Sequence, residues 1–427
     1  MVTISQISNY RKSFKLKTIA IYTFSNFLNK GISFLLLFYF AHVLTEGDFG
    51  ILNLFSNSIT FLMPFISIGI LQSVNTEYFK MGKEEFRNFF STTLIIPVVI
   101  TVCSIVLLFA FRNQLQQRYP FPSIFILLIP VITFFSFLNE HLINAVRNSN
   151  DPIRYLFINI GRLVAEIVIA LFFISALNYG WVGRVMGVFL SFLFIGIYAL
   201  TYFNKQQFLF GKLVKKYVYA EIIYSVPSIV MQVSIFCMSS SAGYFIEYFT
   251  HDYAAVGVFS VAATFGSITI VLCTALLQYI YPKVYVLLSE KEINYPAIRK
   301  LFIFYSAAML LGTLAIIVAA PLAYTLVLKP TYLPGIKYFY FICIGNFFWS
   351  ISYFFYTFML YWKQKKKLLT VSMLCIIIST VSNYLMVKNM GGYGAGLSIA
   401  IIYFTVLLIT LLSVKKEVLS LFNLKNK

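Results

Sequence analysis

Long apolar stretches alternate with short polar segments along the whole chain. A helix needs about 20 apolar residues to cross the hydrocarbon core of a bilayer, and twelve stretches reach that length. The sequence has none of the alternating segments of about ten residues that mark an outer-membrane barrel. The pattern therefore predicts twelve transmembrane helices, at 18–43, 50–74, 89–111, 123–146, 153–177, 181–202, 217–243, 253–279, 301–328, 338–362, 369–386 and 394–414.

Composition agrees with this pattern and excludes an ordinary water-soluble protein. Of the 427 residues 60% are hydrophobic and only 11% are charged, whereas globular domains are about 25% charged. The expected fold class is an all-α polytopic membrane protein. A net charge of +19 also occurs in nucleic-acid-binding proteins, but here the basic residues lie between apolar stretches and form no single basic face. No nucleic-acid partner is expected.

The basic residues predict the orientation, because cytoplasmic loops retain Lys and Arg. With the N-terminus inside, the cytoplasmic segments hold 25 of the 33 Lys and Arg residues and the external segments hold six, Arg184 among them. Only Lys30 and Arg162 are then left inside the membrane. Both termini are expected in the cytoplasm. The first apolar stretch is longer than the core of a signal peptide and is expected to remain as a transmembrane helix.

Similar short motifs recur in the two halves of the chain. Phe49-Gly50 opens the second predicted helix and Val256-Gly257 the eighth, and a Gly-x-x-Gly motif precedes both the sixth helix, at Gly180, and the twelfth, at Gly391. Chance recurrence of glycine turns is the alternative. The equivalent positions favour an internal duplication.

Signals for enzyme or cofactor chemistry are missing from the sequence. No P-loop is present, so ATP hydrolysis by this chain is not expected, and no cofactor is expected. The histidines are scattered and the cysteines lie singly in apolar stretches, which predicts neither a metal site nor a disulfide. We do not expect an enzyme.

Several motifs are similar to those of a known family. The chain resembles the polysaccharide biosynthesis (Wzx-type) flippases of the multidrug/oligosaccharidyl-lipid/polysaccharide exporter superfamily in the stretch from Ala41 to Gly50, Ile68-Gly69, Tyr332, Pro334, Asn383 and the segment Gly391 to Gly394. Two positions depart from the pattern: His42 stands where relatives often carry Arg, and Thr76-Glu77 stands where an Arg is common. The resemblance covers the whole chain but identifies no particular sugar.

The resemblance implies a fold and a function. It implies two six-helix lobes with the architecture of the related multidrug (MATE) exporters, at 1–216 and 217–427, around a cavity that opens alternately to each side. It implies transport of an undecaprenyl-pyrophosphate-linked oligosaccharide, such as an O-antigen, capsule or exopolysaccharide unit, across the bacterial inner membrane, driven by an ion gradient. A polysaccharide polymerase and chain-length proteins would be partners.

The first helix carries the first candidate for substrate binding, Lys30. A cation in the middle of a transmembrane helix costs roughly 2.5–3.5 kcal/mol and should face a partner or a wet cavity. Asn26 lies one turn earlier and Asn57 belongs to a polar stripe on the second helix. These residues are predicted to receive pyrophosphate and sugar hydroxyls. For the asparagines, holding helices together is an equally good interpretation.

Arg162 and Glu166 in the fifth helix stand at positions i and i+4, which allows an ion pair. Two interpretations stay open. In one, the pair is structural and neutralises itself. In the other, Arg162 binds pyrophosphate and Glu166 couples transport to ions, by releasing Arg162 when it is protonated.

Two further candidates lie at the cytoplasmic end of the fourth helix. Arg147, near Arg154, is predicted to attract a pyrophosphate group, because the guanidinium fork matches phosphate geometry. Glu140, beside His141, is a second candidate for ion coupling. Ordinary positive-inside charge is the alternative for both arginines.

Two other functions compete with the flippase. A drug or sodium antiporter of the same superfamily usually has an acidic residue in the first helix, whereas Lys30 favours an anionic cargo. The second half has polar amides but no central charge in its predicted helices, so the anionic end of a cargo is expected at the first lobe. A membrane glycosyltransferase would be expected to carry a large external loop, and every predicted external loop is short.

Overall fold

Helices occupy each of the twelve predicted spans. A bilayer offers no hydrogen-bond partners, so each apolar stretch must satisfy its peptide groups within the helix. The computed structural model describes residues 16–422. Its helices are α1 (Leu16–Val43), α2 (Glu46–Ser67), α3 (Ile70–Glu77), α4 (Lys83–Ala110), α5 (Arg112–Arg118), α6 (Ser123–Asn148), α7 (Pro152–Leu171, followed by a π-helical turn Phe172–Ala176), α8 (Gly180–Lys205), α9 (Lys215–Ser239), α10 (Ala242–Thr250), α11 (Tyr253–Leu288), α12 (Tyr295–Val327), a 3₁₀ turn (Pro330–Tyr332), α13 (Gly335–Tyr361), α14 (Lys365–Ser413) and α15 (Lys415–Leu421).

These helices confirm the prediction of an all-α polytopic membrane protein. Nine of the described helices are long and apolar enough to cross a membrane, and the bent helix α9 would be a tenth span. α14 contains the last two predicted spans. Gly391 lies between them and interrupts the helical backbone (φ 53°, ψ −134°). α1 covers the first predicted span.

Two of the predicted spans are irregular. α9 bends by 42° between Lys215–Ile223 and Ser225–Ser239. Pro227 causes this bend, since its ring lacks an N–H and clashes with the carbonyl group of the residue four positions earlier. The second predicted span is also broken, after Ser67, where Ile68 and Gly69 adopt positive φ values of 39° and 62°.

The chain divides into two compact units. Unit 1 contains residues 16–39 and 55–229, and unit 2 contains residues 40–54 and 230–422. Phe86, Phe90 and Phe137 lie in the core of unit 1, and Tyr305 and Phe354 lie in the core of unit 2. The units differ from the lobes 1–216 and 217–427 at residues 40–54 and 217–229. The lobe boundaries stay a prediction.

Two glycines explain why residues 40–54 belong to unit 2. A Cβ atom at Gly50 would lie 1.9 Å from the carbonyl oxygen of Tyr253, and one at Gly257 would lie 1.9 Å from that of Glu46. The contact is reciprocal, because each glycine touches the carbonyl group four residues before the other. Only glycine permits so close a crossing of α2 and α11. Such reciprocity is expected of two equivalent helices from a duplicated sequence.

Further contacts within unit 2 hold the same segment. The ammonium group of Lys329 donates to the carbonyl oxygen of Leu44 at 3.3 Å. The hydroxyl group of Tyr244 donates to the carbonyl oxygen of Leu54 at 2.9 Å. The rings of Phe49 and Tyr332 meet edge to face, with centroids 6.1 Å apart. The segment is thus anchored at both ends and at its middle.

The second pair of similar motifs also has a matching backbone. Gly180 and Gly391 have nearly equal positive φ values, 52° and 53°. Each stands where a predicted span begins after a reversal or break of the preceding helix. This match supports the internal duplication.

We expect Gly50→Ala and Gly257→Ala to destabilise the protein by about 1–3 kcal/mol each, because the new methyl group forces apart two packed backbones. Thermal unfolding of the purified protein measures the effect. Gly82→Ala is the control, since a Cβ atom there meets nothing within 4 Å. Equal unfolding temperatures for Gly50→Ala and Gly82→Ala would contradict the assigned crossing.

Candidate functional site

A buried carboxylate in unit 1 is shared by two arginines. Glu166 of α7 is 6% exposed. Its Oε2 atom lies 2.5 Å from Nη1 of Arg162, and its Oε1 atom lies 2.6 Å from Nη2 of Arg184. Arg162 lies one helical turn before Glu166, and Arg184 comes from α8. Two guanidinium groups thus share one carboxylate.

Small residues bring α7 and α8 close enough for this triad. A Cβ atom at Gly187 would lie 2.7 Å from the carbonyl oxygen of Glu166, and one at Gly183 would lie 2.8 Å from the side chain of Ile174. Gly183 and Gly187 form a Gly-x-x-x-Gly motif, which allows close packing of helices in membranes. Arg184 lies between the two glycines, so the packing that they permit also aims its side chain at Glu166.

Aromatic and polar groups complete the surroundings. The guanidinium group of Arg162 lies 4.7 Å from the ring centroid of Phe192, at cation–π distance. One and two turns before Arg162, Asn159 and Tyr155 are buried, and the amide of Asn159 donates to the carbonyl oxygen of Tyr155 at 3.0 Å. The arginine side chains remain 14% and 22% exposed, so the cluster is not sealed.

The sequence predicts part of this cluster and misses part. The pair of Arg162 and Glu166 is present as predicted. The charge pattern assigns Arg184 to the external segments, but the structure places it inside α8 with its guanidinium group on Glu166. The Gly183-x-x-x-Gly187 motif around it is the available signal for a close helix contact at this position.

The candidates at the end of α6 have other surroundings. Arg147 is exposed and donates to Oδ1 of Asn144 on its own helix, and Glu140 is exposed. Arg154 is exposed and pairs with Asp151 at 3.4 Å. His141, by contrast, is buried, with its ring centroid 4.4 Å from that of Phe137. No contact between these residues and the triad is established, and the roles of Arg147 and Glu140 stay predictions.

The candidates on the first two helices are only partly visible. Lys30 and Asn26 belong to α1, but their side chains lie outside the described residues. Asn57 is half-buried on α2. Their predicted contact with substrate therefore stays a prediction.

Amides in unit 2 hold helices together. Asn383 donates to the hydroxyl group of Ser241 at 3.0 Å and accepts from the hydroxyl group of Ser398 at 2.7 Å.

One carboxylate outside the predicted spans, Glu247 of α10, is 1% exposed. Among the described residues, no group of three or more His, Cys, Asp or Glu side chains is arranged to hold a metal ion.

Comparison with solved structures identifies the class of fold. The structure is similar to an inward-facing multidrug resistance MATE family transporter of the MOP superfamily (TM-score 0.71, 15% identity, covering 95% of this chain and 96% of that one). It is also similar to lipid II flippase MurJ in an inward closed conformation (TM-score 0.73, 14% identity, 94% and 90% covered). A third similar structure is the MATE multidrug transporter DinF-BH (TM-score 0.65, 16% identity, 95% and 95% covered). The chain has the same fold as these three proteins, which confirms the predicted fold.

The family follows from a sequence model. The model for polysaccharide biosynthesis proteins matches residues 16–284, more than half of the chain. The chain therefore belongs to the polysaccharide biosynthesis protein family, which confirms the resemblance. A search of curated proteins finds no match.

We expect Glu166→Gln to destabilise unit 1 by about 3–5 kcal/mol, because it removes the buried carboxylate that pairs with Arg162 and Arg184. Thermal unfolding of the purified variant measures the loss. Joint replacement of Arg162, Glu166 and Arg184 by Met, Leu and Met should restore most of the stability, since no charge of the triad then remains. A Glu166→Gln protein as stable as the wild type would show that the triad does not need its carboxylate.

Proposed function

We propose that this protein is a flippase that moves undecaprenyl-pyrophosphate-linked oligosaccharide units across the bacterial inner membrane. Membership of the polysaccharide biosynthesis family and a fold similar to that of MurJ and the MATE transporters support a transporter rather than an enzyme. The polysaccharide built from this unit is an O-antigen, a capsule or an exopolysaccharide, and the host's sugar chemistry determines which of them is made.

The observation that carries the proposal is the pair of guanidinium groups held at Glu166 in the Arg162–Glu166–Arg184 triad. Ionisable residues inside a membrane bundle are costly and usually serve a function. Two neighbouring guanidinium groups suit an anionic pyrophosphate, since each of them can bind two phosphate oxygens at once. Lys30 and Arg147 are proposed as further phosphate ligands, and Asn26 and Asn57 as partners of sugar hydroxyls.

Orientation and partners are part of the same proposal. The 25 to 6 distribution of basic residues favours cytoplasmic termini. A flippase of this kind would deliver its cargo to a polysaccharide polymerase and chain-length proteins. A drug or sodium antiporter is the alternative, and it is disfavoured because two guanidinium groups at one carboxylate suit an anionic cargo better than a cationic one.

The proposal predicts that deleting the gene makes lipid-linked oligosaccharide accumulate in the host and stops surface polysaccharide. Arg162→Ala, Arg184→Ala and Lys30→Ala should each fail to restore export while the protein reaches the membrane in normal amounts. Arg162→Ala and Arg184→Ala are tolerated structurally because Glu166 keeps one partner, while each variant removes one of the two guanidinium groups proposed to bind pyrophosphate.

Arg154→Ala is the matched control for these variants, because that arginine is exposed on the same helix as Arg162. It should restore export. Normal surface polysaccharide in a deletion strain that carries Lys30→Ala together with Arg162→Ala would reject the assignment of these cations to substrate.

Coupling to an ion gradient is proposed through Glu166, with Glu140 as the second candidate. A carboxylate that holds two arginines can release both when it is protonated, and the released cations then bind pyrophosphate. Glu166→Gln mimics the protonated state, so any folded Glu166→Gln protein should bind substrate but transport it independently of the proton gradient. Reconstituted transport at two imposed pH gradients measures this; an unchanged gradient response removes Glu166 from coupling.

A further inference from the structure

One face of α13 carries Trp349, Tyr353 and Tyr356, which lie one to two helical turns apart and are half-buried. Other aromatic residues of this helix are buried, as Phe354 is, or half-buried, as Phe348 is. Tyr and Trp carry a polar group that needs a hydrogen-bond partner, whereas Phe does not. This half-buried face is therefore suited to a partner that has hydrogen-bonding groups.

Contact with lipid does not account for this face. Tyr and Trp are enriched near the ends of transmembrane helices, where they reach the headgroups. Trp349 lies 12 residues from the end of α13, a rise of about 18 Å, which is too deep for such a belt. Trp349, Tyr353 and Tyr356 line a cavity within unit 2 together with residues of α9 and α14.

The three side chains present flat, fixed ring faces. Trp349 stacks on Tyr403 of α14, with ring centroids 5.3 Å apart and planes at 29°. Tyr353 and Tyr356 are nearly parallel to each other, with planes at 17° and centroids 6.1 Å apart. Trp349 meets Tyr353 edge to face at 5.2 Å. Rings held by neighbouring rings lose little conformational entropy when a ligand stacks on them.

The rest of the lining restricts the chemistry of a ligand. None of the described residues that line the cavity is charged, so they cannot neutralise a pyrophosphate. The other polar groups of the lining are the hydroxyl groups of Ser372 and of Ser234, which donates to the carbonyl oxygen of Met231 at 2.7 Å and can still accept a hydrogen bond. The apolar groups include Met231 and Met238. A lipid chain would need no hydroxyl groups, and the protein has 46 Phe residues but none among the described residues of this lining. The lining suits an uncharged ring that has apolar faces and hydroxyl groups at its edge, which is a sugar.

The size of the cavity indicates how a sugar would bind. Its volume is about 50 Å³, which is room for only a few water molecules. A sugar ring would therefore lie across the mouth, with one face on the aromatic rings.

We propose that Trp349, Tyr353 and Tyr356 form a saccharide-stacking face in unit 2 that binds the uncharged sugar rings of the cargo. The proposal rests on the flippase function proposed above and adds a subsite for the part of the cargo that carries no charge. Because the rings recognise a flat apolar face rather than a particular hydroxyl pattern, this subsite accepts different sugars.

Photo-crosslinking in the host tests the proposal on the full chain. p-Benzoylphenylalanine replaces Met231, which lines the cavity, or Met373, a methionine that is 49% exposed and does not line it. After irradiation, mass spectrometry identifies what is attached to the purified protein. We expect adducts that contain the oligosaccharide at position 231 and not at position 373. Trp349→Leu should lower the yield at position 231 about tenfold, which corresponds to roughly 1.4 kcal/mol of binding free energy, and Trp349→Phe should retain most of it.

The stacking face is overturned if position 231 captures no saccharide, whether it captures sugar-free lipid or nothing. It is also overturned if positions 231 and 373 capture saccharide equally. The third contrary result is a saccharide yield at position 231 that Trp349→Leu leaves unchanged in a protein of normal abundance. The gene-deletion strain separates this failure from failure of the flippase proposal. If lipid-linked oligosaccharide accumulates there and position 231 captures no sugar, only the stacking face is rejected. If none accumulates, the flippase proposal itself is rejected.

Discussion

A carboxylate inside an apolar layer of helices must have a counter-charge, and in unit 1 this requirement governs how α7 and α8 pack. Glu166 meets it twice, once through Arg162 on its own helix and once through Arg184 on the next. The second contact exists only because glycine at position 187 lets the two backbones approach. The ion pair between the two helices thus depends on their close packing.

Close approach of backbones recurs in unit 2 for a different purpose. Inside a membrane, apolar side chains gain little by leaving lipid for protein, so helices associate through tight packing and hydrogen bonds. Gly50 and Gly257 provide such packing between α2 and α11, and Asn383 provides hydrogen bonds near α10. Segment 40–54 consequently belongs to unit 2, although it precedes most of unit 1 in the sequence.

The two units differ in the chemistry that they offer. Unit 1 carries a partly exposed cluster of guanidinium groups, and unit 2 carries a cavity whose described lining has aromatic and hydroxyl groups and no charge. A lipid-linked oligosaccharide has the same division, since its pyrophosphate is anionic and its sugars are rings with apolar faces. This correspondence links the proposed phosphate ligands to the proposed stacking face, although the two rest on unrelated features of the molecule.

The sequence by itself determined the helices, because a bilayer forces every long apolar stretch to satisfy its own peptide groups. It also determined the pair of Arg162 and Glu166, since spacing of four residues on a helix places two side chains on one face. The tertiary structure alone decided that Arg184 joins them, because a contact between helices depends on their rotation and depth, which the local sequence does not specify. For the same reason, the contact of Gly50 with Gly257, the burial of Glu247 and the cavity lined by Trp349, Tyr353 and Tyr356 became visible only once the helices were packed.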